Sequence, residues 1–350
     1  MSYTIEDFKE GYKDDWKRVQ EKNPYATFLT SLDWIAFQRS KGKIIDQFVI
    51  VKDHFEVIGI LSVEIFKRKI SRYGYAPYNP VVDWESFDDN ELPTFLLTLH
   101  VWVKNYIEKM GLNSFRFDPR VSQNYTEEFK HAKFVHSLAP GQAKETWITD
   151  LTKHHSNTLL KNQEKDTRYT IKRAKKKGVD IKEAQSIEEI SAFTDLMEEV
   201  MERKGFQTHP PSYYKDLWSM LNEKDMVKIW LAYKDDKAIA GALMVYYKKE
   251  VSYIFGASTS VKKYQKLSAP YLLHYEIMLD ALNEKYKRYN FWGVVPKEHK
   301  DHAMRGLSDF KMKFDGELHS YVGNFEVRDI SLGSLLQRGL EWYAYKDDRY

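Results

Sequence analysis

The chain has 350 residues, 43% of them apolar and 30% charged, which suffices for one or two sizeable cores and excludes a disordered tail or a disulfide-stapled miniprotein. Zero Cys excludes disulfides, thiolate nucleophiles and Cys-ligated zinc, and a net charge of +3 carries no meaning unless the charges cluster. The longest apolar run, Ala238 to Tyr247, is closed by Lys248 and Lys249 and falls well short of the about 20 residues a bilayer span needs.

The N-terminal stretch has no apolar core segment of the secretory type, so the cytoplasm is the expected compartment. Further along, Lys52 to Val63 aligns without gaps on Lys234 to Val245, with five of twelve positions identical. Each copy reads as a strand, a polar turn and a second β-branched strand, which predicts a hairpin. A helix follows each hairpin. In the first, Pro93 opens it, Phe95, Leu96, Leu99, Trp102, Val103, Tyr106, Ile107 and Met110 keep helical spacing, and Gly111 ends it ahead of a strand LNSFRFD. In the second, Pro270 opens the helix and YNFWG is the strand. A helix also precedes the second hairpin, with Ser186 and Glu189 as a capping box and Gly205 at its end. One ordered unit occurring twice predicts two α/β domains of a single type. Between Lys161 and Lys177 eight Lys/Arg stand against Glu164 and Asp166, a net of +6.

The second half then spells a series of motifs: Ile171-Lys172-Arg173-Ala174, Glu202-Arg203-Lys204-Gly205 with Tyr213-Tyr214, Tyr253-Ile254-Phe255-Gly256, Ala269-Pro270-Tyr271 and Phe291-Trp292-Gly293. It closes on Phe310-Lys311-Met312-Lys313-Phe314 and Tyr321-Val322-Gly323, while the first half carries Ser31-Leu32-Asp33-Trp34 and Arg116-Phe117-Asp118-Pro119. In order and spacing these resemble the FemABX family, the aminoacyl-tRNA-dependent ligases that build peptide cross-bridges on peptidoglycan precursors. The resemblance implies a mixed α/β fold of two GNAT-like domains (the N-acetyltransferase fold) packed across a cleft, with the last residues returning to the first domain. It puts an acceptor-side domain at 1–147 plus 325–350 and a tRNA-side, catalytic domain at 148–324. No heptad run interrupts Ser186 to Met226, so the chain resembles the compact form without a coiled-coil arm.

The implied reaction is attack by an amine on the ester of an aminoacyl-tRNA, and it requires no metal, redox cofactor or covalent intermediate. Lys311, in the family's Phe310-Lys311 pair, is the candidate for stabilising the oxyanion or the leaving ribose oxygen. Read without the family, Lys311 and Lys313 would be alternate exposed residues of a strand whose core face is Phe310, Met312 and Phe314. Asp118 ends a strand on the same side as Ser114 and Arg116, so it either orients or deprotonates the acceptor amine or is a turn carboxylate partnered by Arg116. The family resemblance also marks Gln38, Arg116, Asn113, His209, Tyr213 and Phe255 as acceptor-binding positions. Among these, His209, Gln38, Asn113 and Phe255 depart from the family pattern while Tyr213 keeps it, leaving lipid-linked and nucleotide-linked precursors both open. A lipid-linked acceptor would bring the protein to a membrane surface. Lys172, Arg173, Lys175, Lys176 and Lys177, together with Lys262, Lys263 and Lys266, form the expected tRNA footprint, with Tyr264 and Tyr169 as candidate stacking rings.

Thr259 to Pro270 contains no glycine, which argues against the phosphate-cradling loop of an acetyl-CoA enzyme. No pairing of the eleven His with carboxylates has metal-site spacing, so no metal is expected. Two rival readings stay open: a GNAT-fold acyltransferase with another donor acting on a polysaccharide or small-molecule amine, and a non-catalytic RNA-binding module.

Overall fold

The computed structural model describes residues 2–69, 71–204, 208–329 and 332–344. The chain forms two compact units: Met1–Glu145 with His299–His302 and Ser320–Tyr350, and Thr146–Glu298 with Ala303–His319. The first contains β1 (Tyr3–Asp7), α1 (Lys13–Lys22), α2 (Leu32–Ser40), β2 (Ile44–Lys52), β3 (Glu56–Lys67), β4 (Arg72–Pro77), β5 (Val81–Val82), α3 (Glu91–Met110), β6 (Ser114–Asp118), α4 (Thr126–His131) and β7 (Val135–His136). The second runs through β8 (Glu145–Asp150), α5 (Leu159–Asn162), α6 (Lys165–Lys176), β9 (Asp180–Glu183), α7 (Ile187–Lys204), α8 (Pro211–Leu221), β10 (Val227–Lys234), β11 (Lys237–Tyr247), β12 (Glu250–Ser258), α9 (Lys262–Gln265), α10 (Ala269–Asn283), β13 (Arg288–Gly293), α11 (Arg305–Lys311) and β14 (Glu317–Ser320). The chain then returns to the first unit as β15 (Phe325–Arg328), which pairs with β6 and β7, and α12 (Leu332–Ala344).

Each unit is built on one mixed sheet. The strand orders are β1-β2-β3-β4-β6-β15-β7, with β5 also on β3, and β14-β8-β13-β12-β11-β10-β9. The internal repeat is a structural one: β2–β3 and β10–β11 are the two antiparallel hairpins. Their turns hold Asp53 and His54 in one copy, Asp235 and Asp236 in the other, at positive φ. A register shift falls between Ile50 and Val51 in the first and between the aligned Ala232 and Tyr233 in the second. The aligned glycines are both close-approach positions. A Cβ at Gly59 would meet Val82 at 2.4 Å, and one at Gly241 would meet the Phe193 ring at 2.8 Å.

Cores form on both faces of each sheet. In the first unit Phe95, Leu99 and Val103 of α3 pack on Phe115 and Phe117, while Trp16 and Val19 of α1 and Ile35 of α2 cover Val49 and Ile60 on the other face. In the second, Ile171 of α6 and Leu272 and Ile277 of α10 pack on Ala240, Ala242 and Met244, and α7 lies against β11 and β12. Helix α3 starts at Glu91, two residues ahead of Pro93, because the Asp88 carboxylate accepts the amides of Asn90 and Glu91 at 2.8 Å and so caps the first turn. Of the Ser186–Glu189 capping box one bond is as expected, Ser186 Oγ accepting Glu189 N–H at 3.3 Å, while the Glu189 carboxylate accepts the Gln185 amide, one residue before the cap, at 2.6 Å. Gly205, expected to close that helix, lies outside the described residues.

One difference between the two sheets sets the surroundings of Lys311. The central parallel pair of the first unit, β4 and β6, stays in register over five pairs, from Tyr73↔Ser114 to Pro77↔Asp118. In the second unit β12 and β13 pair only from Glu250↔Arg288 to Ser252↔Asn290. Beyond that, β12 follows β11 and β13 follows β8, so the two strands part.

Candidate active site

Lys311 sits where β12 and β13 separate. It is the last residue of α11, a helix rather than the strand that its alternation with phenylalanines would allow, and the helix turns its side chain inward. Only 5% of Lys311 is exposed. Its Nζ donates to the Gly293 carbonyl at the end of β13 at 2.7 Å and lies 5.6 Å from the Tyr253 ring centroid on β12, so the amine bridges the two parted strands. Burial pushes its pKa down to about 7, because the ammonium has exchanged water for one carbonyl and an aromatic face.

The surroundings are aromatic and nearly uncharged. His274 of α10 packs on Tyr253 at 4.5 Å, on Phe310 at 5.5 Å and on Phe314 at 5.7 Å. Its Nδ1 is 2.6 Å from the Tyr289 hydroxyl. Desolvation, and secondarily the charge of Lys311, holds the imidazole pKa down to about 3, so His274 is neutral at physiological pH. The Tyr253 ring runs along β12 so that its hydroxyl lies 1.8 Å from where a Cβ at Gly256 would stand, so any side chain there must displace the ring.

A cleft of about 540 Å³ opens at the end of β12, walled by Ser258, Thr259, Tyr264, Tyr271, Arg203 and Phe310, the residue before Lys311. Helices α6 and α9 meet at its rim: Arg173 Nη2 donates to Ser268 Oγ at 3.1 Å and to the Lys266 carbonyl at 3.3 Å. Lys172, Lys176, Lys177, Lys262, Lys263 and Lys266 are exposed, and Lys175, also exposed, pairs with Glu276 at 3.2 Å. The fold thus joins two basic segments that are about ninety residues apart in sequence. Tyr264 carries the Lys263 ammonium 4.6 Å from its ring centroid, while Tyr169 stands exposed beside Arg173. The loop after β12 offers little to a pyrophosphate: the Ser260 amide donates to Glu199 at 2.6 Å, and Pro270 supplies no N–H at the second residue of α10.

His209, Tyr213 and Phe255 gather in the second unit. The His209 ring stacks on Tyr213 at 3.8 Å and meets Phe255 edge-on at 5.8 Å. An irregularity in the β11–β12 register, where Leu243 pairs Phe255 and Met244 pairs Tyr253, turns the two aromatic residues of β12 apart. Tyr253 faces α10 and Phe255 faces Tyr214 of α8.

In the first unit Asp118 is 2% exposed. Its carboxylate accepts the Tyr75 hydroxyl at 2.7 Å, the Tyr78 amide at 2.7 Å and the Gln142 amide. Desolvation outweighs these donors and raises its pKa to about 7. Nearby, Arg120 Nε donates to the Tyr321 hydroxyl at 3.1 Å, with its guanidinium over the Tyr78 and Tyr321 rings.

Arg116 does not partner Asp118. It is buried against Glu326 at 3.4 Å and against Glu341, with its guanidinium 4.7 Å from the Tyr73 ring, which makes it a structural cation. Asn113 has a structural task too, its side-chain oxygen accepting the Arg72 amide at 2.9 Å. Gln38 is buried on α2. Tyr253, His274, Tyr75, Arg120 and Tyr321 were not legible as site residues: each is an aromatic or basic residue within an apolar or polar run, and only long-range packing sets it beside Lys311 or Asp118.

The FemAB family model matches residues 127–235 and 225–330, more than half of the chain. The chain belongs to the FemAB family. Among curated relatives, Aminoacyltransferase FemA of Staphylococcus aureus is 21% identical over 86% of this chain and 90% of its own length. Among solved structures, FemX superposes with a TM-score of 0.78 at 18% identity, covering 97% of this chain and all of that one. A tandem GNAT protein from the clavulanic acid biosynthesis pathway gives 0.58 at 9% identity over 93% of this chain and 98% of its own. This FemAB-family chain therefore has two GNAT-like domains, as its repeated hairpins and paired sheets display.

Proposed function

We propose that this aminoacyltransferase moves an amino acid from the 3′ end of its tRNA to an amine of a peptidoglycan precursor stem peptide, the side-chain amine of the third residue. The observation that carries the reading is Lys311: an amine buried between parting strands, next in sequence to the cleft residue Phe310, with its pKa brought to about 7. In the reaction the acceptor nitrogen forms a bond to the ester carbonyl carbon. The carbonyl oxygen carries the negative charge, and the bond to the ribose 3′ oxygen then breaks. Lys311, protonated, neutralises the oxyanion or the departing 3′ oxygen, while Phe310, which lines the cleft, bounds the aminoacyl group. Asp118 takes or orients the proton of the attacking amine.

The donor's 3′ end enters the cleft, and its backbone follows the basic rim of α6 and α9. The acceptor is held by Tyr213, His209 and Phe255 of the second unit, so its contacts are not confined to 1–147 plus 325–350. Only Tyr213 of this cluster keeps the pattern of the family's nucleotide-precursor site, and an aromatic cluster offers no base- or ribose-specific donor set to a uridine, so the acceptor is taken as lipid-linked. Because tRNA is the donor, the compartment is the cytoplasm. An acetyl-CoA-type donor is disfavoured by the loop after β12, whose Ser260 amide is engaged by Glu199 and whose helix start carries Pro270. Incubation with charged total tRNA and candidate precursors, followed by product mass, tests the proposal. Ribonuclease-sensitive addition of one aminoacyl residue is the expected result, and ribonuclease-resistant turnover with another donor refutes it.

A further inference from the structure

Among its described side chains, helix α12 is amphipathic in the reverse sense to a core-packing helix. Its underside is polar: Ser334, Gln337 and Glu341 are buried. Glu341 receives Arg116 and Arg328, the Gln337 amide donates to it at 2.8 Å, and Ser334 Oγ donates to the Asn113 carbonyl at 3.3 Å. These bonds fix which face points out. That face carries Leu336, 56% exposed, Leu340, 57%, Trp342, 55%, and Tyr343, 71%. Leu336, Leu340 and Tyr343 are spaced four and three residues apart and so share one stripe.

We propose that α12 is a lipid-docking helix that seats the protein on the surface of an anionic bilayer. Charge selects this occupant. From Ser334 to Tyr343 the only charged residues are Arg338, which is exposed, and Glu341, which is buried on two arginines, so the outer face offers an anionic surface a cation and no carboxylate. Trp342 and Tyr343 add amphipathic rings suited to the headgroup level. Area argues against a second copy of the chain. Four side chains about half exposed present on the order of 100 Å² each, about half of the roughly 800 Å² per partner that a stable interface buries. With thirteen residues, α12 is too short to span a bilayer. The purpose of such docking, reaching an acceptor carried in the membrane, rests on the lipid-linked reading above; the geometry of α12 does not.

The test uses the full chain and vesicles of phosphatidylglycerol, with phosphatidylcholine vesicles as the neutral arm. The parent should sediment with the anionic vesicles and less with the neutral ones. Combined Leu336→Ser, Leu340→Ser and Tyr343→Ser should lower that partition by about tenfold or more, since about three large apolar side chains no longer enter the interface. Emission from Trp342, isolated by subtracting the Trp342→Phe variant, should shift to the blue on vesicle addition. Failure of the parent to bind, or equal binding by the triple variant, overturns the proposal. So does a concentration-dependent dimer that the triple substitution dissolves. Vesicle binding without aminoacyl transfer to a lipid-linked acceptor would leave α12 as proposed and refute the acceptor reading instead.

Discussion

At the scale of single residues, the proposed chemistry uses two groups that burial brings to neutrality from opposite directions. Lys311 comes down to about 7 and Asp118 goes up to about 7. The ammonium exists below that value and the carboxylate above it, so a reaction that uses both has kcat/KM rising to a narrow maximum near pH 7 and falling on either side. Lys311→Met should flatten the alkaline limb and Asp118→Asn the acid limb, as read from kcat/KM profiles against aminoacyl-tRNA. At the optimum Lys311→Met should lower kcat by about 10²-fold, roughly 3 kcal/mol of transition-state stabilisation, with KM for both substrates little changed. The substitution keeps the unbranched stem and removes a charge that is costly to bury, so the fold tolerates it. A kcat within threefold of the parent would move the role to another cation. Gly256→Ala tests the neighbouring residue: its Cβ would stand within 1.8 Å of the Tyr253 hydroxyl. The ring must move and take the floor from under Lys311, so kcat should drop at least tenfold while thermal unfolding shows a folded protein; unchanged kcat would show that Tyr253 does not position the amine.

Among elements, the decisive event is the parting of β12 and β13 after three register pairs, where β4 and β6 of the other unit stay paired for five. Duplicated hairpins thus support two different central pairs: a splayed one that houses an amine, and a closed one whose last residue is a carboxylate held by three donors. The meeting of α6 and α9 through Arg173 makes two basic stretches one surface. Neutralising Lys172, Lys176 and Lys177, or Lys262, Lys263 and Lys266, should weaken tRNA binding. Each lost phosphate contact should also reduce the slope of log K against log salt by about 0.7 to 0.9. Equal slopes in parent and both variants would place the tRNA elsewhere.

For the whole molecule, the acceptor is the open choice that the chain as a whole must settle. His209, Tyr213 and Phe255, the proposed acceptor contacts, form an aromatic cluster. Side-by-side rates should therefore favour the lipid-linked precursor over the soluble uridine-linked one, and a clear preference for the soluble precursor would show that other residues rebuild its site. A family model spanning residues 127–330 and a FemX superposition over 97% of the chain make the two-unit plan continuous from end to end.

The hairpin repeat, the helices after each hairpin, the charge run on α6 and the family were all legible in the sequence. Each is a local pattern, and spacing of two or 3.6 residues is fixed by backbone geometry whatever the distant partners are. The helix at Phe310-Lys311 was not. Alternating phenylalanines and lysines suit a strand, and only packing against Tyr271, Phe291 and His274 selects the helical arrangement that buries Lys311. Arg116 likewise has no partner within its own strand; its carboxylates lie 210 and 225 residues away. The reversed polarity of α12 depends on the same ion pairs. The sequence by itself thus determined the elements, their duplication and the kind of chemistry. The tertiary structure decided which charges lose water and which pair, because desolvation and ion pairing depend on neighbours that the chain supplies from far along its length.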